Sequence, residues 1–286
     1  DDFNWDDPNS YIELKEINLK SLVTVVRGNG QDNFRTLSKN ARHAFSIRSP
    51  SAKWMTKYGP NWQDKLSESE KNSVNSIDTW ADGLTQQAPG WTRVSGKLDN
   101  HGKVTGAFGD TSLTWHVDEP GSIMFYPLVA LYGAEHMHTS ATSFIQTADW
   151  YAGLSESFRS ELNDLVAIYD MTKTQYGIDE VNRDIIITNQ GASQVEMPLV
   201  ARNPVGIPGI RYGTQITKFV GVPQKEADAI INKIKTEIFN PEYAYDYWWE
   251  HARGDFVMMD NSITIHERKV RSDLNMSQEL RQRVAY

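Results

Sequence analysis

Hydrophobic positions recur along this chain with two periods, one near two residues and one near 3.6, and the alternation between them sets out its elements. Leu22-Val23-Thr24-Val25-Val26 is a β-branched run closed by Gly28-Asn29-Gly30 and reads as a strand, followed by a helix from Asp32 to Phe45. Gly28-Asn29-Gly30 lacks the further glycine and the Gly-Lys-Ser/Thr ending of a phosphate loop, so it is read as a plain turn. Residues 51–90 are rich in Ser, Lys, Asn, Gln and Asp, with Trp54, Trp62 and Trp80 scattered among them, and predict a helix and loop excursion on the surface. Short strands follow over 91–94, 111–117, 123–132 and 142–146. Phe158, Leu162, Leu165, Val166 and Tyr169 then fall at helical spacing, predicting an amphipathic helix over 155–169 with Ser155 as its N-cap. Strands return at 195–201 and 209–212, a helix runs over 223–238 with Pro223 in its first turn, and strands resume from Tyr243, including 256–259 and a last one over 279–286. The chain is therefore mainly β with helices, an α+β protein.

Composition narrows this picture. A chain of 286 residues accommodates one large domain or two ordinary ones, and with no break in texture it is read as a single domain over 1–286, with the excursion at 51–90 and a helical insert region near 150–250. No apolar run is long enough to span a bilayer, and the acidic start Asp1-Asp2-Phe3-Asn4-Trp5-Asp6-Asp7 has no signal-peptide pattern, so the expectation is a cytoplasmic protein without a membrane partner. With no cysteine, disulfide frameworks, thiolate metal sites and cysteine nucleophiles are excluded. A formal charge of -8 argues against nucleic acid as a partner, because phosphate binding requires a positive surface. A small-molecule ligand is the expected partner, and a homo-oligomer is compatible with such a chain.

Chemistry concentrates in Trp115-His116-Val117-Asp118 and in the segment ending at His266. On a strand, residues two apart share a face, so His116 and Asp118 can grip one ion, and His266, 148 residues (266 − 118) past Asp118, closes the triangle on folding. Two imidazoles and one carboxylate leave three positions of an octahedral ion open, as in non-haem Fe(II) oxygenases. The same three residues can also hold Zn²⁺ and activate a water, which keeps a zinc hydrolase as the rival reading. His136 and His138 can share a strand face as well, but no carboxylate or third histidine recurs with suitable spacing beside them.

Several stretches in order carry a resemblance: Leu22-Val23-Thr24-Val25-Val26-Arg27-Gly28; Trp115-His116-Val117-Asp118; Thr142-Ser143-Phe144 leading to Trp150-Tyr151-Ala152-Gly153-Leu154-Ser155; and Gly254-Asp255-Phe256-Val257-Met258-Met259-Asp260-Asn261 before His266. In these the chain resembles the taurine/2-oxoglutarate dioxygenase-like family of Fe(II)-dependent oxygenases, over most of its length. The resemblance implies a double-stranded β-helix, a jelly-roll, cupin-like barrel with flanking and inserted helices. It implies Fe(II), 2-oxoglutarate and O₂, with His116, Asp118 and His266 as metal ligands. The implied reaction is oxidative decarboxylation of 2-oxoglutarate to succinate and CO₂, coupled to hydroxylation of a C–H bond of a small molecule; an amino acid or related metabolite is the candidate substrate that Glu119 adds. Family members hold the far carboxylate of 2-oxoglutarate with an arginine and a hydroxyl, for which Arg281 and Thr142 stand in the matching places, with Arg268, Arg271 and Arg283 as rivals to Arg281. The intact Asp118 implies hydroxylation or a related oxidation, since related halogenases carry a small residue there. Ser112 stands where taurine enzymes carry asparagine, which sets taurine itself aside. Glu119 is placed to orient an amine, and Trp115, Tyr126, Trp248 and Trp249 are candidates to line a pocket. A non-catalytic binding protein on the same barrel remains a third reading.

Overall fold

In the computed structural model of the chain, the described residues are 3–31, 33–45, 62–68, 92–95, 107–108, 113–118, 127–134, 140–170, 194–249, 253–270 and 282–285. Two sheets dominate. The first runs in the order β1 (Val23–Val26), β13 (Phe256–Asp260), β5 (Leu128–Gly133), β15 (Gln282–Ala285), β2 (Thr92–Ser95) and β3 (Ala107–Phe108), antiparallel except for the β2–β3 pair. The second is antiparallel throughout, in the order β12 (Ala244–Trp248), β6 (Ser140–Gln146), β14 (Thr264–Val270) and β4 (Leu113–His116). Among the described residues these sheets do not close into a barrel.

The period of two decides which side chains meet. Val129 and Leu131 of β5 and Val257 and Met259 of β13 form one buried cluster with Phe144, Tyr247 and Trp249 of the second sheet, so the two sheets face each other across this layer. The alternate residues face outward. Ala130, Tyr132, Phe256 and Met258 pack against Tyr11 and Leu14 of helix α1 (Pro8–Ser21) and Leu37, Ala41 and Ala44 of α2 (Phe34–Phe45). Ile145 and Ile265 pack with residues of α3 (Thr147–Gly153), α4 (Glu156–Asn163) and α5 (Gln224–Ile238). Helices therefore cover the outer face of each sheet. A three-stranded sheet, β11 (Ile216–Phe219), β7 (Val166–Asp170) and β8 (Gln194–Pro198), and the pair β9 (Val200–Arg202) and β10 (Pro208–Ile210) complete this mixed α/β arrangement.

The helix expected over 155–169 is shorter than its pattern. Ser155 caps it, its Oγ accepting the Phe158 N–H at 3.3 Å, but α4 stops at Asn163 and Val166–Asp170 is a strand, β7, paired on both sides. Over five residues an apolar run fits either period, and pairing with β8 and β11 decides it. Helix α1 was not foreseen; Asp7 caps it by accepting the Asn9 N–H, with Pro8 in its first turn. Gly28-Asn29-Gly30 is a turn, with Asn29 and Gly30 at positive φ. The excursion at 51–90 lies outside the described residues apart from 62–68. No helix among the described residues is long and apolar enough to cross a membrane.

Candidate metal centre

β4 ends at His116, and β14 crosses it so that His116 and His266 are direct partners in the antiparallel register. Cross-strand neighbours have their side chains on one face, and the two imidazole rings lie with centroids 4.2 Å apart at 50°. Asp118 follows two residues after His116, and its Oδ1 is 3.5 Å from His116 Nε2 and 3.7 Å from His266 Nε2. Ligand atoms bound to one ion at about 2.1 Å each lie no more than about 4.2 Å apart, so both spacings suit a shared ion. Taken together, one ligand atom from each of the three residues falls within 4.8 Å of the others.

The surroundings prepare these groups as ligands. His116 Nδ1 lies 2.6 Å from the Thr114 carbonyl oxygen, which can only accept, so Nδ1 carries the proton and Nε2 presents its lone pair toward Asp118. Burial works to raise the Asp118 carboxyl, but in the absence of an ion the neighbouring His266 and His116 imidazoles, when protonated, outweigh it and hold the group below its ordinary range. It therefore stays an anion, as a metal ligand must. Asn261, in the turn between β13 and β14, holds the backbone of Asp118 from both sides: its Oδ1 accepts the Asp118 N–H at 2.8 Å and its Nδ2 donates to the Asp118 carbonyl at 2.9 Å. His116 and His266 are buried, whereas the Asp118 side chain is 31% exposed, which leaves the centre approachable on the carboxylate side. This hard and borderline donor set, with no sulfur, suits Fe(II) and leaves coordination positions for a chelating co-substrate and O₂.

The family description "Taurine catabolism dioxygenase TauD, TfdA family" matches residues 13–281. The chain belongs to this family. As a TauD/TfdA protein it is a 2-oxoglutarate-dependent dioxygenase, an oxidoreductase that uses Fe(II), 2-oxoglutarate and O₂, and the His116–Asp118–His266 centre is where the residues fit the iron. Its fold is similar to a taurine dioxygenase from Burkholderia xenovorans, at 17% identity and a TM-score of 0.64 over 98% of this chain and 79% of that one. It is also similar to AAD-2 in complex with Mn(II) and N-oxalylglycine, at 16% identity and a TM-score of 0.65 over 100% of this chain and 90% of that one. No curated protein sequence matches it.

Other residues singled out from the sequence of this TauD/TfdA protein fall in different places. Thr142 is buried on β6, and its Oγ1 accepts the Trp249 Nε1 proton at 2.9 Å. Trp115 stacks on Phe239 at 5.6 Å and packs into the outer core, on the strand face opposite His116. Trp249 is fully buried between the sheets, and Trp248 is exposed. Ser112, Glu119, Tyr126, His136, His138, Arg271 and Arg281 lie outside the described residues; Arg283 is on β15, where its backbone pairs with Gly133. Sequence reasoning gave Asn261 no part at the centre, and named Trp249 only as a candidate to line a pocket. The Asp260-Asn261 pair was visible as a motif, but nothing in the sequence linked it to Asp118.

Proposed function

We propose that this dioxygenase couples decarboxylation of 2-oxoglutarate to succinate and CO₂ with hydroxylation of an unactivated C–H bond of a small molecule, one oxygen atom of O₂ entering each product. The cross-strand register of His116 with His266, bringing Asp118 to both, is the observation that carries this reading. When bound, the iron and 2-oxoglutarate supply the oxidising chemistry. The chain's part is to hold three ligands on one side, to keep Asp118 ionised, and to leave the remaining positions open. On this reading the two facing sheets are halves of a jelly-roll, a double-stranded β-helix in one domain, with the metal ligands at its mouth. Thr142 and Arg281 are assigned to the far carboxylate of 2-oxoglutarate, the role being one for a hydroxyl donor and a planar guanidinium. Ser112 and Glu119, flanking the ligand pair in sequence, are assigned to the substrate, with Glu119 taking an amine of an amino acid or related metabolite. Trp115 serves the core instead.

The test is product analysis. Purified protein is supplied with Fe(II), ascorbate, 2-oxoglutarate, O₂ and a panel of free and derivatised amino acids, and succinate and oxygenated products are followed by mass spectrometry. Succinate formation that needs Fe(II), and is stimulated by one panel member gaining one oxygen atom, is the expected result. Hydrolysis of a panel member with Zn²⁺, and no succinate with Fe(II), would replace this reading with the zinc hydrolase.

A further inference from the structure

The strand that carries His116 is irregular just before it. β4 and β14 pair His116 with His266 but Leu113 with Arg268, a step of three residues on β4 against two on β14. Thr114 and Trp115 therefore oppose Glu267 together, which is the pattern of a β-bulge, and a bulge frees backbone groups from the ladder and re-aims the side chains beside it. Here the Thr114 carbonyl accepts from His116 Nδ1 at 2.6 Å, so the bulged stretch supplies the acceptor that sets the tautomer of the ring. With the ladder locally disrupted, contacts from outside the sheet must hold that stretch in place.

Those contacts come from the loop between β10 and β11. β4 is the last strand of its sheet among the described residues, and the side turned away from β14 meets this loop. Thr214 donates its backbone N–H to the Trp115 carbonyl at 3.3 Å, and its Oγ1 lies 3.3 Å from Thr114 Oγ1, so it touches both residues of the bulge. The loop is itself anchored. The Tyr169 hydroxyl donates to the Arg211 carbonyl, the Asp170 N–H to the Gln215 carbonyl at 2.9 Å, and the Ile216 N–H to the Gly213 carbonyl at 3.0 Å. Arg211 and Gln215 are thus both tied to the end of β7, in the three-stranded sheet, and Thr214 between them faces β4. Trp115 is gripped a second time: its ring stacks on Phe239 at 5.6 Å, and Tyr212 from the same loop meets Phe239 edge-on at 5.7 Å. The Thr214 contacts fall on the bulge, so its influence on the centre passes through Thr114 to His116.

Resting on the reading of His116, Asp118 and His266 as metal ligands, we propose that Thr214 is a positioning residue for the iron centre. Its hydroxyl and N–H pin the Thr114–Trp115 bulge, and through the Thr114 carbonyl they hold the His116 imidazole in its ligating tautomer and orientation. The three-stranded sheet is thereby part of the support of the centre. His116 and Asp118 are then held from two different segments, His116 through Thr214 and Asp118 through Asn261.

Loading the protein with Co(II) reads this without turnover. Co(II) accepts the same nitrogen and oxygen donors as Fe(II). Its unpaired electrons also move the ring N–H protons of bound imidazoles out of the crowded region of the proton NMR spectrum, where the His116 Nδ1 proton is recognised by its loss in His116→Ala. Thr214→Val keeps the shape of the side chain and removes its hydroxyl. The expected result is a Co(II) dissociation constant raised about 5-fold, the scale of one hydrogen bond, together with faster solvent exchange of the His116 Nδ1 proton. Thr214→Ser is expected to restore both. Thr114→Val is expected to reproduce the loss, with the double variant no worse than either single one because the two hydroxyls act as a pair, and this arm still decides the matter if Thr214→Val does not fold. Unchanged affinity or unchanged exchange in Thr214→Val, a loss that Thr214→Ser does not restore, or additive losses in the double variant would overturn the proposal. Wild-type protein that binds no Co(II), or His116→Ala that binds it as tightly as wild type, would overturn the metal-centre reading itself, a result distinct from the others.

Discussion

His116 takes its ligand tautomer from the carbonyl of Thr114, two residues earlier on the same strand, and Asp118 takes its position from Asn261, more than a hundred residues away. Outer partners of this kind commonly tune metal affinity by about 10–100-fold. Asn261→Ala is therefore expected to raise the Fe(II) dissociation constant into that range, measured anaerobically by titration, with the far-UV circular dichroism unchanged; an unaltered constant would show that the Asp118 backbone needs no clamp. The triad that the structure brings together was legible in the sequence because His116 and Asp118 sit two apart on a predicted strand and His266 stands in a distant segment able to close the triangle, a set the resemblance also implied. Asn261 was not legible, since a hydrogen bond to a distant backbone leaves no local pattern. Arg268, among Glu267 and Lys269, reads as surface until the register places it opposite Thr142, where it is buried.

Elements were legible wherever a single period ran long enough. The strands around residues 113–116, 140–146 and 256–260 and the helix over 224–238 stand close to where the hydrophobic pattern puts them. Val166–Asp170 does not, because five apolar-rich residues following a helix continue its stripe on paper while the backbone turns into a sheet at Asn163-Asp164. Helix α1 escaped notice because its buried residues, Tyr11, Leu14, Asn18 and Leu19, include a polar one, whose Nδ2 donates to the Met258 carbonyl at 2.8 Å. Where two elements join, sequence also hides close approach. A Cβ on Gly28, at the end of β1, would drive into the Gly254 carbonyl before β13. Gly28→Ala is thus expected to cost about 3 kcal/mol, seen as a lowered urea midpoint with the m-value retained; an unchanged midpoint would mean the two segments can separate freely.

On the scale of the whole molecule, the two sheets are held face to face by more than their shared apolar layer. Asp255, buried just before β13, accepts the Gly28 N–H at 2.7 Å, pairs with Arg27 at 2.8 Å and accepts the Tyr247 hydroxyl proton, so one carboxylate ties both sheets together. Burial and this neighbouring carboxylate both push the Tyr247 phenol well above its ordinary range, so it remains a donor at any working pH. Held this way, the second sheet presents His116 and His266 on two paired antiparallel strands. The central claim, an Fe(II) and 2-oxoglutarate centre built from His116, Asp118 and His266, is tested most directly by anaerobic visible spectroscopy of wild type and His266→Ala, adding Fe(II) and then 2-oxoglutarate. The account predicts a charge-transfer band in wild type that needs both additions and is lost in His266→Ala. No band in wild type, or the same band in the variant, would contradict it.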